Sequence, residues 1–141
     1  MDRLREDIER DEGNPGKVYK DSLGFLTCGW GHLLREGDPF PDEAAEVILK
    51  HDLAPTVELF AQLPKHYRDA LNPARRRAIC NMIFNLGLRG VLKFSMMWGA
   101  ILKGDFDQAA DEMLNSRWAQ QVGARAQRLA ETMRRDSDEI R

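Results

Sequence analysis

A fold of the α+β class, mostly α, is predicted by three features of the sequence. Apolar residues at helical spacing occupy residues 1–12 and nearly everything after Asp42. Strand-like runs are confined to the glycine-punctuated stretch between them, which has room for two or three strands. No internal repeat or low-complexity linker divides the 141 residues, a length that suits one domain with two small lobes. The expected organisation is a single domain over residues 1–141. A small β lobe covers 13–41, a connecting helix 42–62, and a helical-bundle lobe 1–12 and 63–141.

Each element has a local reason. Leu4 and Ile8 make a short apolar stripe, so residues 2–12 form a helix that Gly13, Asn14, Pro15 and Gly16 stop abruptly, with Glu12 in its last turn. Val18-Tyr19-Lys20 and Phe25-Leu26-Thr27-Cys28 are strand-like and joined by Asp21-Ser22-Leu23-Gly24, a hairpin turn. Gly29, Trp30 and Gly31 then continue or bend the sheet, and glycines beside a tryptophan suggest a bulge or a closely approached backbone. From Asp42 onward Ala44, Val47, Ile48, Leu53, Val57 and Phe60 recur at helical spacing, with Pro55 expected to kink or break the helix near Ala54.

Asn72-Pro73 pairs a capping side chain with proline at the first helical position. The helix it opens is apolar on most faces, through Ala78, Ile79, Met82, Ile83 and Leu86, and should be central to the bundle and end at Gly87. Ser95 is expected to cap a short helix through Leu102, ended by Gly104. Asp105 with Gln108 resembles a capping box opening a helix through Leu114. A last helix spans Gly123 to Arg135, and Asp136–Arg141 is expected to fray.

Composition removes several function classes. No apolar run approaches 18 residues, so no membrane-spanning helix is expected, and the charged start MDRLREDIER cannot supply the apolar core of a secretory signal. Cys28 and Cys80 are expected to be unpaired thiols, and the absence of CxxC or clustered His/Cys spacing argues against a zinc site; no metal or other cofactor is expected. Residues 1–70 carry 15 acidic and 9 basic side chains, whereas residues 71–141 carry 8 and 12. That asymmetry could orient the molecule on a polyanion, but no basic, aromatic-interleaved stripe suggests nucleic acid.

The chemistry concentrates between Asp11 and His32. Glu12 at a helix end and Asp21 on a hairpin turn are two carboxylates able to face each other across a groove, and the Thr27 hydroxyl follows six residues after Asp21. An acid that protonates a leaving oxygen and a second carboxylate that activates water form the usual apparatus for breaking a glycosidic bond. Glu12 is the more informative of the pair, because a glutamate in a last helical turn faces the negative end of the dipole. Among 23 acidic residues, however, the pair alone is a weak signal.

The surrounding pattern is more specific. Asp11-Glu12-Gly13, Tyr19-Lys20-Asp21, Gly24, Thr27, Gly29, Gly31 and His32 together resemble the active-site signature of the phage-type lysozymes, glycoside hydrolase family 24. The likeness continues in Arg75-Arg76, Asn81-Met82, Phe84, Gly87, Gly90-Val91 and Ala109-Ala110. It is seen again in Ser116-Arg117-Trp118, Arg125-Ala126 and Arg128, and so covers nearly the whole chain. The resemblance implies a lysozyme-like fold, with Glu12 as general acid, Asp21 as base or electrostatic partner and Thr27 positioning the attacking water. It further implies that Arg125 pairs with Glu12, that His32 forms an ion pair with Asp52, and that Leu33 and Phe84 contact sugar. Met97 and Glu112 stand where the family has polar neutral residues and are not assigned, and Trp30 has no fixed counterpart. Only nine residues separate His32 from Asp42, which implies a smaller β lobe than the type member has. The pI of 5.9 is low for a wall-degrading lysozyme and weakens attraction to an anionic wall.

The activity so implied is an endolysin-type muramidase. It would hydrolyse the β-1,4 bond between N-acetylmuramic acid and N-acetylglucosamine in peptidoglycan, with inversion. The expected partner is the glycan strand, with no nucleic acid and no stable membrane insertion. A monomer is expected, held in the host cytoplasm until holin-dependent release lets it reach the periplasmic wall. Two alternatives stay open: a lytic transglycosylase, which needs no water-activating aspartate, and a non-catalytic protein acting on wall or membrane. The latter is favoured only by the basic helix bearing Arg125, Arg128, Arg134 and Arg135.

Overall fold

A computed structural model describes residues 2–135, with eight helices and a three-stranded sheet among them. Contacts divide the chain into two compact units, residues 1–45 and 46–141, so the boundary lies in the first turns of a long helix and the first helix groups with the sheet. The expected fraying of Asp136–Arg141 lies outside the described residues.

In the first unit, helix α1 (Asp2–Glu12) begins with Asp2 in its first turn and ends where Gly13 turns left-handed at φ 67°. The Gly13 N–H donates to the Glu9 carbonyl at 3.0 Å, which is the single-bond left-handed helix stop. Strands β1 (Tyr19–Lys20), β2 (Leu26–Cys28) and β3 (His32–Leu33) follow as an antiparallel meander. Thr27 sits opposite both Tyr19 and Leu33 in the register, and Cys28 sits opposite His32.

The second unit contains most of α2 (Asp42–Ala61), then α3 (Lys65–Asp69), α4 (Pro73–Leu92), α5 (Ser95–Leu102), α6 (Phe106–Leu114), α7 (Arg117–Val122) and α8 (Ala124–Arg135). Helix α2 is continuous through Pro55, so the break expected near Ala54 does not occur. A single proline removes one N–H, and the adjacent Thr56 hydroxyl donates to the Asp52 carbonyl at 3.2 Å in the same turn. Helix α4 opens as expected, with Asn72 Oδ1 accepting from Arg75 N and Pro73 at the first position. Gly87, at φ 77° and ψ 167°, interrupts the helix as expected, and a further helical turn resumes beyond it. Ser95 does not cap α5. Phe94 occupies that position without a side-chain bond, and Ser95 is the first helical residue. Asp105 does cap α6, accepting from Gln108 N.

The core of this unit is built on Ile79, Met82, Ile83, Met97, Trp98, Ile101, Met113 and Met133. Tyr67 stacks on Trp98 with ring centroids 4.3 Å apart, and the Trp98 indole N–H is satisfied by the Val91 carbonyl. Arg75 ties the end of α8 to the bundle, donating Nε to the Met133 carbonyl at 2.7 Å while its guanidinium lies over the Phe106 ring. Ala126, Leu129, Ala130 and Met133 of α8 are buried, so the apolar face of this basic helix is already used. That removes the lipid-binding argument for it. No described helix is long and apolar enough to cross a membrane.

Met82 is fully buried in the middle of α4. Truncation in Met82→Ala should cost about 2–5 kcal/mol, measured by urea denaturation, because a tight helical core closes only partly over a lost side chain.

Candidate active site

All three proposed reacting residues fall in the first unit. Glu12 is the last residue of α1, and its side chain folds over the turn between β2 and β3. A methyl group at Gly31 would stand 2.7 Å from Glu12 Oε2 and 2.8 Å from Cδ, closer than carbon atoms pack. Gly31 also adopts φ 73°, which favours glycine, and a Cβ there would push the flexible end of Glu12 aside. The helix end and the sheet meet at that contact.

Asp21 leaves β1 and shapes the first turn of the meander. Its Oδ1 accepts from the N–H groups of Leu23 and Phe25, each at 2.9 Å. Its own N–H and carbonyl bond to Phe25 O and Gly24 N. The side chain is thus fixed through one oxygen, and among the described residues Oδ2 accepts no hydrogen bond. Thr27, only 2% exposed, stands at the centre of β2 and donates its hydroxyl proton to the Phe25 carbonyl at 2.9 Å. With that proton committed, its lone pairs remain available to accept from a water molecule.

The other expected residues are distributed over both units. His32 and Leu33 form β3, His32 exposed and Leu33 partly covered. In the second unit Asp52 is exposed on α2. Arg125 donates Nε to Asn81 Oδ1 at 2.8 Å and Nη2 to the Asn81 carbonyl, which ties α8 to the middle of α4. Phe84, 43% exposed, lines a depression of about 430 Å³ together with Asn81, Arg125, Cys80, Leu53 and Val57. Burial pushes the Cys80 thiol above its ordinary value, and both cysteines are free. Met97 is fully buried, and with Glu112 it lines a separate depression beside Trp118. Among the described residues no three His, Cys, Asp or Glu side chains converge as metal ligands. The sequence assigned no role to Asn81. A polar residue in the middle of an apolar helix was the available signal.

A family model described as phage lysozyme matches residues 9–139. The chain belongs to the phage lysozyme family. It is a glycoside hydrolase of the lysozyme type. Three relatives show the range of the likeness. An endolysin of Salmonella phage P22 is 30% identical, over 76% of this chain and 75% of its own length. Probable T4-type lysozyme 1 of Dictyostelium discoideum is 27% identical, over 89% and 90%. The pre-baseplate central spike protein Gp5 of Enterobacteria phage T4 is 31% identical over 89% of this chain, which accounts for 26% of the spike's length.

Two glycines of this lysozyme isolate the contact at Glu12. Gly29 and Gly31 both have left-handed backbones, but a methyl group at Gly29 meets nothing within 4 Å. Alanine at either position should cost about 1–2 kcal/mol of backbone strain in thermal denaturation. Only Gly31→Ala, which displaces the Glu12 carboxyl, should lower kcat/KM about a hundredfold.

Proposed function

We propose that this lysozyme is an endolysin-type muramidase, cleaving the β-1,4 bond between N-acetylmuramic acid and N-acetylglucosamine with inversion at the anomeric carbon. Glu12 gives its proton to the glycosidic oxygen as the bond to the anomeric carbon breaks. A water molecule, accepted by the Thr27 hydroxyl, attacks that carbon from the opposite face of the ring and passes a proton to Asp21. The observation that carries this reading is the seating of Glu12 on Gly31, in the same unit that holds Asp21 by two backbone N–H groups. Inversion requires the two carboxyls to stand roughly 6.5–9.5 Å apart, so that a water fits between Asp21 and the sugar.

Leu33 and Phe84 are proposed as sugar contacts, and Arg125, His32 and Asp52 as supporting residues that take no part in proton transfer. The endolysin names of the relatives support a role in host lysis, with a monomer reaching the periplasmic wall after holin-dependent release or cell breakage. A lytic transglycosylase needs only the acid, so the fixed Asp21 and the committed Thr27 hydroxyl count against that reading.

The experiment is lysis of outer-membrane-permeabilised Gram-negative cells, with soluble glycan products resolved by NMR and mass spectrometry. Glu12→Gln should lose at least about a hundredfold in rate with its fold intact. Asp21→Asn, whose Oδ1 can still accept both turn N–H bonds, should lose comparably. The first-formed reducing ends should be α, without 1,6-anhydro sugars. Full activity in Glu12→Gln would sink the assignment, and anhydro products would establish the transglycosylase instead.

A further inference from the structure

Trp30 is used by neither the fold nor the reaction as described. It stands at the tip of the turn between β2 and β3, flanked by Gly29 and Gly31 with φ 57° and 73°. It is 48% exposed, whereas Trp98 and Trp118 are 1% and 4% exposed. Those two spend their indole N–H groups on Val91 O and Asn85 Oδ1, whereas the Trp30 N–H has no partner among the described residues. Trp30 thus leaves half of its surface and a hydrogen-bond donor open at a turn whose backbone is fixed by two left-handed glycines.

Its surroundings indicate what covers it. Trp30 lines a depression of about 370 Å³ with Leu4, Ile8, Arg5 and Glu9 of α1. Leu4, Ile8 and Glu12 succeed one another at four-residue intervals, so that face of the helix runs from the depression to the proposed acid. Gly31, the next residue after Trp30, is the one that Glu12 rests on. An aminosugar ring matches this lining. One pyranose face presents only C–H groups to an indole, the N-acetyl methyl suits Leu4 and Ile8, and hydroxyls reach Arg5, Glu9 and the indole N–H.

We propose that Trp30 is a stacking platform for an N-acetylhexosamine ring of the glycan strand, seated beside the linkage that Glu12 protonates. The proposal deepens the muramidase reading and rests on its assignment of Glu12. Trp30 thereby contributes to substrate binding and register more than to the chemical step.

The test uses Glu12→Gln as the non-turnover protein and soluble uncross-linked peptidoglycan strands as probe, with N-acetylglucosamine oligomers as the peptide-free arm. Strands should shift the tryptophan emission to the blue and protect it from acrylamide, and both effects should vanish in Glu12→Gln/Trp30→Phe. In the active protein, Trp30→Ala should raise KM about tenfold with kcat little changed, and Trp30→Phe should restore most of the loss. Protection by strands but not by the peptide-free oligomers would overturn the sugar-ring assignment in favour of peptide recognition. Unchanged acrylamide quenching, or a Trp30→Ala variant that loses stability and kcat at constant KM, would show that the indole only packs. The KM readout in the active protein does not depend on Glu12 being the acid, which the lysis rate of Glu12→Gln decides separately.

Discussion

A carboxyl group resting on a glycine joins the first helix of this molecule to its sheet. Glu12 closes α1 at the point where Gly13 turns the chain, and its side chain lands on Gly31, where no Cβ stands in the way. The Glu12 carboxyl is therefore positioned by two backbone features, a helix stop and a tight turn, and among the described residues no hydrogen bond holds it. Its carboxyl oxygens are thereby left open to a ligand. It also depends on the strands being in register, since a slip of one residue between β2 and β3 would remove Gly31 from beneath it.

Asp21 and Thr27 are fixed by a different means. Their hydrogen-bonding capacity is partly consumed by the hairpin, and what is left is what the proposed reaction would use. Asp21 anchors through Oδ1 and keeps Oδ2, while Thr27 gives up its proton and keeps its lone pairs. The three-stranded sheet is short, with β2 as its central strand. The helical unit, with its dense methionine- and tryptophan-containing core, owes its stability to packing that involves none of these three residues.

Much of this was legible in the residues because the signals are local. Asn72-Pro73 announced the start of α4, Gly87 its interruption, and the Asp21–Gly24 run the first turn. Pro55 misled because its cost is confined to one turn of a twenty-residue helix that is otherwise fully bonded. Ser95 misled because a serine at a helix start has a rival in the residue before it, and there Phe94 serves without a side-chain bond. Helices α3 and α7, of five and six residues, are too short to show a period. The seating of Glu12 was invisible for a deeper reason. It links residues 12 and 31 through the absence of an atom, and pattern reading registers only the glycine. Asn81 as the acceptor for Arg125 was hidden similarly, because the two are separated by 44 positions in sequence.

The most direct measurement is a crystal structure of Glu12→Gln bound to an oligomer of alternating N-acetylmuramic acid and N-acetylglucosamine. The amide at position 12 should lie about 2.6–3.2 Å from a glycosidic oxygen. A water shared by Asp21 and Thr27 should stand on the opposite face of the anomeric carbon. A glycosidic bond lodged away from residue 12, or no space for water beside Asp21, would contradict the account.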